Sequence, residues 1–144
     1  MQYPRKQVKE NSMSYVLGID VGTTNIKALL LNTENGTRTA LAQHGYEIMI
    51  PRSGWAEYVP QMWYRDCCDV IRRVLAESGV DCALIAGLAL SGQMHGFVAL
   101  DAEDKPVGNA ILHCDARGNA VLQEFQEHIG AESLKNDLMN PAYP

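Results

Sequence analysis

Four kinds of signal are missing from this 144-residue chain, and each absence excludes a class of protein. Basic residues are scarce: 12 Lys and Arg face 17 Asp and Glu, for a net charge of −5. There is no clustered positive surface for nucleic acid or an anionic membrane. Long apolar runs are missing too. The longest, Ala83–Leu90 with Gly87 inside it, is far too short to span a bilayer. No apolar stretch follows Arg5, Lys6 and Lys9 as a signal peptide requires. The cysteines have no pattern: Cys67 and Cys68 are adjacent, while Cys82 and Cys114 stand apart, which makes neither a zinc site nor a disulfide framework. Reduced thiols in a cytoplasmic protein are expected. Internal repeats and low-complexity tracts are also absent.

What is present is an ordinary globular composition, 47% hydrophobic and 20% charged, long enough for one domain with a real core. Residues 1–13 read as a disordered leader, with Met13 as an alternative start, and 14–144 as the folded part. The stretch Tyr15–Asn32 carries the most information. An apolar run ends in Asp20, turns over Gly22-Thr23-Thr24 and leaves as a second apolar run, which predicts a β-hairpin. Gly22 lets backbone approach an anion, and the turn's N–H groups and threonine hydroxyls are donors without a strand partner. Asp20, at the strand end, suits a hydrated Mg²⁺. The pattern is neither a Walker A loop nor a dinucleotide Gly-x-Gly-x-x-Gly turn.

Further along, Thr33-Glu-Asn-Gly36 predicts a turn and Thr37 to Ile50 a third strand. Pro60 opens a helix whose apolar stripe is Cys67, Val70, Ile71, Val74 and Leu75, closed by Gly79. Ala83–Leu90 reads as a strand buried on both faces, so helix and strand together form an α/β crossover. Ser91-Gly-Gln-Met-His-Gly96 lies just beyond that strand, where α/β sheets collect ligands. Two short strands, Phe97–Leu100 and Pro106–Leu112, flank an acidic turn. A second helix is expected from Asp115, with Gly118, Val121, Leu122, Phe125 and Ile129 on one face and Gly130 as its stop.

Four segments occur in order: Asp20-Val-Gly-Thr-Thr24, Gly54-Trp-Ala-Glu-Tyr-Val-Pro60, Gly92-Gln-Met-His-Gly96 and Ala110-Ile-Leu-His-Cys-Asp-Ala-Arg117. The first resembles the phosphate loop of sugar kinases, actin and Hsp70-like ATPases. Together, from Tyr15 to the end, they resemble the N-terminal part of the FGGY family of carbohydrate kinases, in its xylulokinase-like branch. The resemblance implies an α/β fold of the actin-like, ribonuclease H-like type, with three antiparallel strands followed by α/β crossovers, in a two-domain sugar kinase. It implies ATP and Mg²⁺ as cofactors and a small-molecule sugar as substrate, with neither nucleic acid nor membrane as partner. Asp20 would hold Mg²⁺ through water, and Gly22, Thr23 and Thr24 would receive the β- and γ-phosphates. Lys27 adds charge there unless strand alternation points it to solvent. Gln93, Met94 and His95 match positions that touch the sugar; Met94 is equally able to pack under the sheet. Asp115 and Arg117 match an Asp-x-Arg element, either taking sugar hydroxyls or capping a helix. Trp55 and Glu57 match an element read as structural, tying the third strand to the first helix.

His113 and Cys114 depart from the family pattern, which has Trp before Asp-x-Arg; a histidine gives a smaller, more polar wall and alters the sugar preference. The family's catalytic base, second phosphate loop and adenosine pocket belong to stretches without a match in these 144 residues. The chain by itself is therefore expected to be inactive, the N-terminal part of a kinase for a pentulose, D-xylulose first. A chain truncated in this way would expose a cleft wall and domain surface, and would either associate with itself, a homodimer being one such assembly, or unfold easily. Two other readings stay open: a non-catalytic truncated module that binds a sugar or partner, and an actin- or Hsp70-like ATPase without a sugar substrate.

Overall fold

The computed structural model describes residues 14–130, 132, 133 and 136; the expected leader 1–13 lies outside them. Two compact units emerge, one from the chain up to Tyr46 plus Gln61–Gln93, the other from Glu47–Pro60 and the chain from Met94 onward.

The first unit is a four-stranded sheet packed on a helix. Strand β1 (Tyr15–Val21) pairs antiparallel with β2 (Asn25–Asn32), from Tyr15 opposite Asn32 to Val21 opposite Ile26. The turn that follows uses Asn32, whose side-chain oxygen accepts the Glu34 N–H at 2.9 Å, and Gly36, at φ 70°. Positive φ is what the Asn-Gly pair predicts. Strand β3 (Arg38–Gly45) then runs antiparallel to β2. It ends at Gly45 rather than at Ile50, because β2 begins at Asn25 and offers nothing further to pair with; the last rung is Tyr46 N–H to Thr24 O, 2.9 Å.

Helix α1 (Pro60–Ser78) places Val70 and Val74 in the core, both fully buried. Gly79, at φ 63°, closes it as expected, its N–H reaching Leu75 O. A single 3₁₀ turn (Cys82–Leu84) leads into β5 (Ile85–Gly92), which lies parallel to β1, giving the strand order β3-β2-β1-β5. Alternation decides the two faces of the sheet: Leu17, Ile19, Ile26, Ala28, Leu30, Ala40 and Ala42 form the core with α1.

Burial of β5 on both faces is not what the structure shows. The strand sits at the sheet edge with β1 as its neighbour, and Leu88 (59%) and Leu90 (68%) are exposed. A continuous apolar run reports a need for cover on both sides, and among the described residues neither face of β5 receives it.

The second unit is held by β4 (Glu57–Tyr58) paired antiparallel with β6 (Ala110–Ile111). The two expected strands around the acidic turn reduce to bridges, Phe97 to Ile111 and Leu100 to Pro106, with Asp101 accepting the Glu103 and Lys105 N–H groups. Helix α2 (Asn119–Ile129) begins at Asn119, not at Asp115, because the Asp115 carboxylate is occupied elsewhere. Gly130 ends it as expected. The stripe of Val121, Phe125 and Ile129 is exposed rather than buried.

Candidate functional site

Because Leu17 and Ile19 point into the core, alternation sends Gly18 and Asp20 to the opposite face of β1. Asp20 stands directly across from Lys27 on β2 and, on its other side, in register with Ser91 of β5. Lys27 therefore shares the face of Asp20. These three residues, with Gly18, Leu29 and Leu41, line a recess of about 410 Å³. The C-terminal ends of the parallel strands β1 and β5 coincide, and Gln93 N–H donates to Val21 O at 2.9 Å, fastening the start of the 91–96 loop beside the hairpin tip. Gly92 eases this approach: a Cβ there would lie a tight 3.3 Å from Val21 O.

At the tip, Gly22 N–H donates to Asn25 O at 3.0 Å, so this amide belongs to the turn itself and is not a free donor as the sequence suggested. The turn is tight at Gly22; a Cβ would sit 3.1 Å from Asn25 O and 3.7 Å from Asp20 Oδ2. The hydroxyls of Thr23 and Thr24 make no hydrogen bond among the described residues. The Asp20 carboxylate likewise makes no ion pair among them. Magnesium asks for few protein ligands, commonly one or two carboxylates, with water and phosphate completing the shell. A single unpaired carboxylate beside a hydroxyl-bearing turn fits that requirement. Among the described residues no group of three or more side chains forms a closed metal cage.

Two residues that sequence reasoning passed over sit behind the tip. Tyr46 Oη donates to Gly22 O, and Trp63 Nε1 on α1 donates to Tyr46 Oη at 3.1 Å. Burial pushes the Tyr46 phenol above its usual range. An aromatic residue just after a strand carries no motif, so only tertiary packing reveals the pair.

Gln93 has both side-chain amide atoms buried and without a hydrogen-bond partner among the described residues, a costly condition unless something else supplies partners. In the second unit, Met94 is 70% exposed rather than packed under a sheet. His95 is exposed and adopts φ 60°, a left-handed conformation that needs local support in a residue with a side chain.

Asp115 and Arg117 come together in the same unit. Asp115 accepts four hydrogen bonds on two oxygens: Ala56 N–H (2.7 Å), Arg117 N–H (2.9 Å), Arg117 Nε (2.8 Å) and Arg117 Nη2 (2.7 Å). A carboxylate has about four acceptor positions, so this one is fully used. The guanidinium and these backbone donors lower its pKa to about 2. Arg117 also donates to Glu57 Oε1 at 2.7 Å, while Asn109 Nδ2 donates to Glu57 Oε2 at 2.8 Å. Hydrogen bonds from Asn109 and then Arg117 hold the Glu57 carboxyl below the ordinary range. The Arg117 guanidinium lies 3.8 Å from the Trp55 ring centroid and that of Arg52 lies 4.9 Å away. Trp55 and Glu57 thus tie residues 109–117 to β4. His113 and Cys114 are exposed.

The sequence profile of the FGGY family of carbohydrate kinases, N-terminal domain, matches residues 15–144. The chain is similar to the xylulose kinase of Lactococcus lactis, 36% identical over 123 residues, which covers 85% of this chain and 24% of that protein. It is also similar to the L-xylulose/3-keto-L-gulonate kinase of Escherichia coli, 37% identical over 113 residues, covering 78% and 22% respectively. Among solved structures, a xylulose kinase from Brucella ovis superimposes with a TM-score of 0.75 at 32% identity, over 83% of this chain and 25% of that one. The chain spans about a quarter of the length of the curated relatives it matches.

Proposed function

This chain belongs to the FGGY family of carbohydrate kinases and has its α/β, actin-like fold, and on that premise we propose that the protein carrying it transfers the γ-phosphoryl group of MgATP to a pentulose, D-xylulose first. The observation that carries the reading is the hairpin tip at the ends of β1 and β5: a carboxylate and two hydroxyls without partners among the described residues, beside a glycine where a Cβ would be crowded. Asp20 holds the hydrated magnesium, Gly22 keeps the tip narrow enough for close approach, and Thr23 and Thr24 receive phosphate oxygens. Lys27, across from Asp20, adds positive charge on the same face. Bound MgATP supplies the transferable phosphoryl group.

Gln93, Met94 and His95 contact the sugar. The orphaned Gln93 amide supports this, since a sugar hydroxyl both donates and accepts and would relieve it. The exposed Met94 and His95 are available to the same ligand. For Asp115 and Arg117 we propose a role in shaping the sugar wall through the backbone they fasten. Their hydrogen-bonding capacity is largely spent on each other, on Ala56 and on Glu57. We assign no residue of this chain to accept the sugar's proton. A cytoplasmic location suits a MgATP-dependent reaction, and the four free thiols agree with a reducing compartment.

The test is ADP release by the complete protein with D-xylulose, L-xylulose and glycerol as acceptors. D-xylulose is expected to give the highest kcat/KM. ATP hydrolysis that ignores the acceptor would overturn the sugar-kinase reading in favour of a plain ATPase, and preference for glycerol would overturn the choice of pentulose.

A further inference from the structure

We infer that Tyr46, backed by Trp63, is a positioning residue that fixes the direction in which the hairpin tip presents its amide to phosphate. The inference rests on the phosphate-binding reading of Gly22-Thr23-Thr24 and names a residue outside that segment on which it depends. The direction of the hydrogen bonds is forced by chemistry. An indole Nε1 only donates and a backbone carbonyl only accepts, so the Tyr46 hydroxyl must accept from Trp63 and donate to Gly22 O. Tyr46 also reaches the tip from its main chain, its N–H donating to Thr24 O at 2.9 Å. One residue therefore holds the carbonyls on either side of Thr23.

The consequence follows from the planar trans peptide. With Gly22 C=O drawn toward the phenol, the Thr23 N–H in the same peptide plane points the opposite way, away from Tyr46. Freed from that bond, the Gly22–Thr23 peptide could rotate and turn its amide out of line, and an anion would first have to reorient it. Burial raises the Tyr46 pKa, so the phenol remains a donor across the range in which kinases are assayed. Trp63 sits on α1 and packs with Tyr46 against the core, so the brace is anchored on the core of the first unit.

The test uses the complete protein and two probes, MgATP and adenosine, with D-xylulose binding as a third reading. Tyr46→Phe keeps the ring and removes the hydroxyl. It is expected to weaken MgATP binding about tenfold while leaving adenosine and D-xylulose affinities within twofold of the parent protein. Trp63→Phe, which leaves the phenol in place without its donor, is expected to shift MgATP in the same direction by about threefold, and decides the matter if Tyr46→Phe fails to fold. Unchanged MgATP binding in the folded variants would overturn the brace and leave the phosphate loop standing. Equal loss for MgATP and adenosine, with a lowered Tm, would show a merely structural tyrosine and overturn the inference. A parent protein that binds no MgATP would overturn brace and phosphate loop together.

Discussion

Asp115 accepts four hydrogen bonds on two oxygens, and that load decides how it titrates. Its folded-state pKa, about 2, lies below the ordinary aspartate value of 3.8. The stabilisation is therefore complete above about pH 4 and is lost as pH falls through about 2. Asp115→Asn should cost about 2 kcal/mol at neutral pH, because the amide replaces one acceptor oxygen with a donor facing Arg117 or Ala56. Urea titrations of parent and variant at pH 7, 4 and 2 should show a gap that is constant down to about pH 4 and closes toward pH 2. Gly22→Ala places a Cβ 3.1 Å from Asn25 O, a backbone atom with little room to move. A loss of about 1–2 kcal/mol in thermal unfolding is expected, together with weaker MgATP binding.

Elements in the first unit follow their sequence periods, and their stability is set by a small interlocking set of side chains. Leu30 on β2 is fully buried between its sheet neighbours and α1. Leu30→Ala should lower stability by about 2–5 kcal/mol, measured by denaturant unfolding, depending on how far Val70 and Val74 close the gap. The elements of the second unit diverge more from expectation, for a local reason. Short strands such as β4 and β6 carry too few residues to establish a period, and their pairing is instead secured by Glu57, Asn109, Arg117 and Trp55. Helix α2 starts late because its expected cap, Asp115, is drawn to Ala56 and Arg117.

At the scale of the whole molecule, the four cysteines are free, and their accessibility differs. Cys82 and Cys114 are exposed, whereas burial raises the Cys67 thiol above its ordinary pKa. Maleimide labelling followed by mass spectrometry should modify Cys82 and Cys114 first and Cys67 late, without prior reduction. The hairpin, the turn at Gly36, α1 with its core-facing stripe, the crossover to β5 and the family are all legible in the chain, since each is written in local periodicity or in motifs at fixed spacing. The same motifs marked Asp20, Gly22, Thr23 and Thr24 as one turn, whereas the side of Lys27 is read from the register that sets it opposite Asp20. Tertiary packing alone brings the Ala56 amide to Asp115 and sets Tyr46 and Trp63 behind the tip. Those contacts join residues far apart in the chain, such as Gly22 to Tyr46 and Ala56 to Asp115. Their partners are chosen by how the elements pack, which no local pattern records.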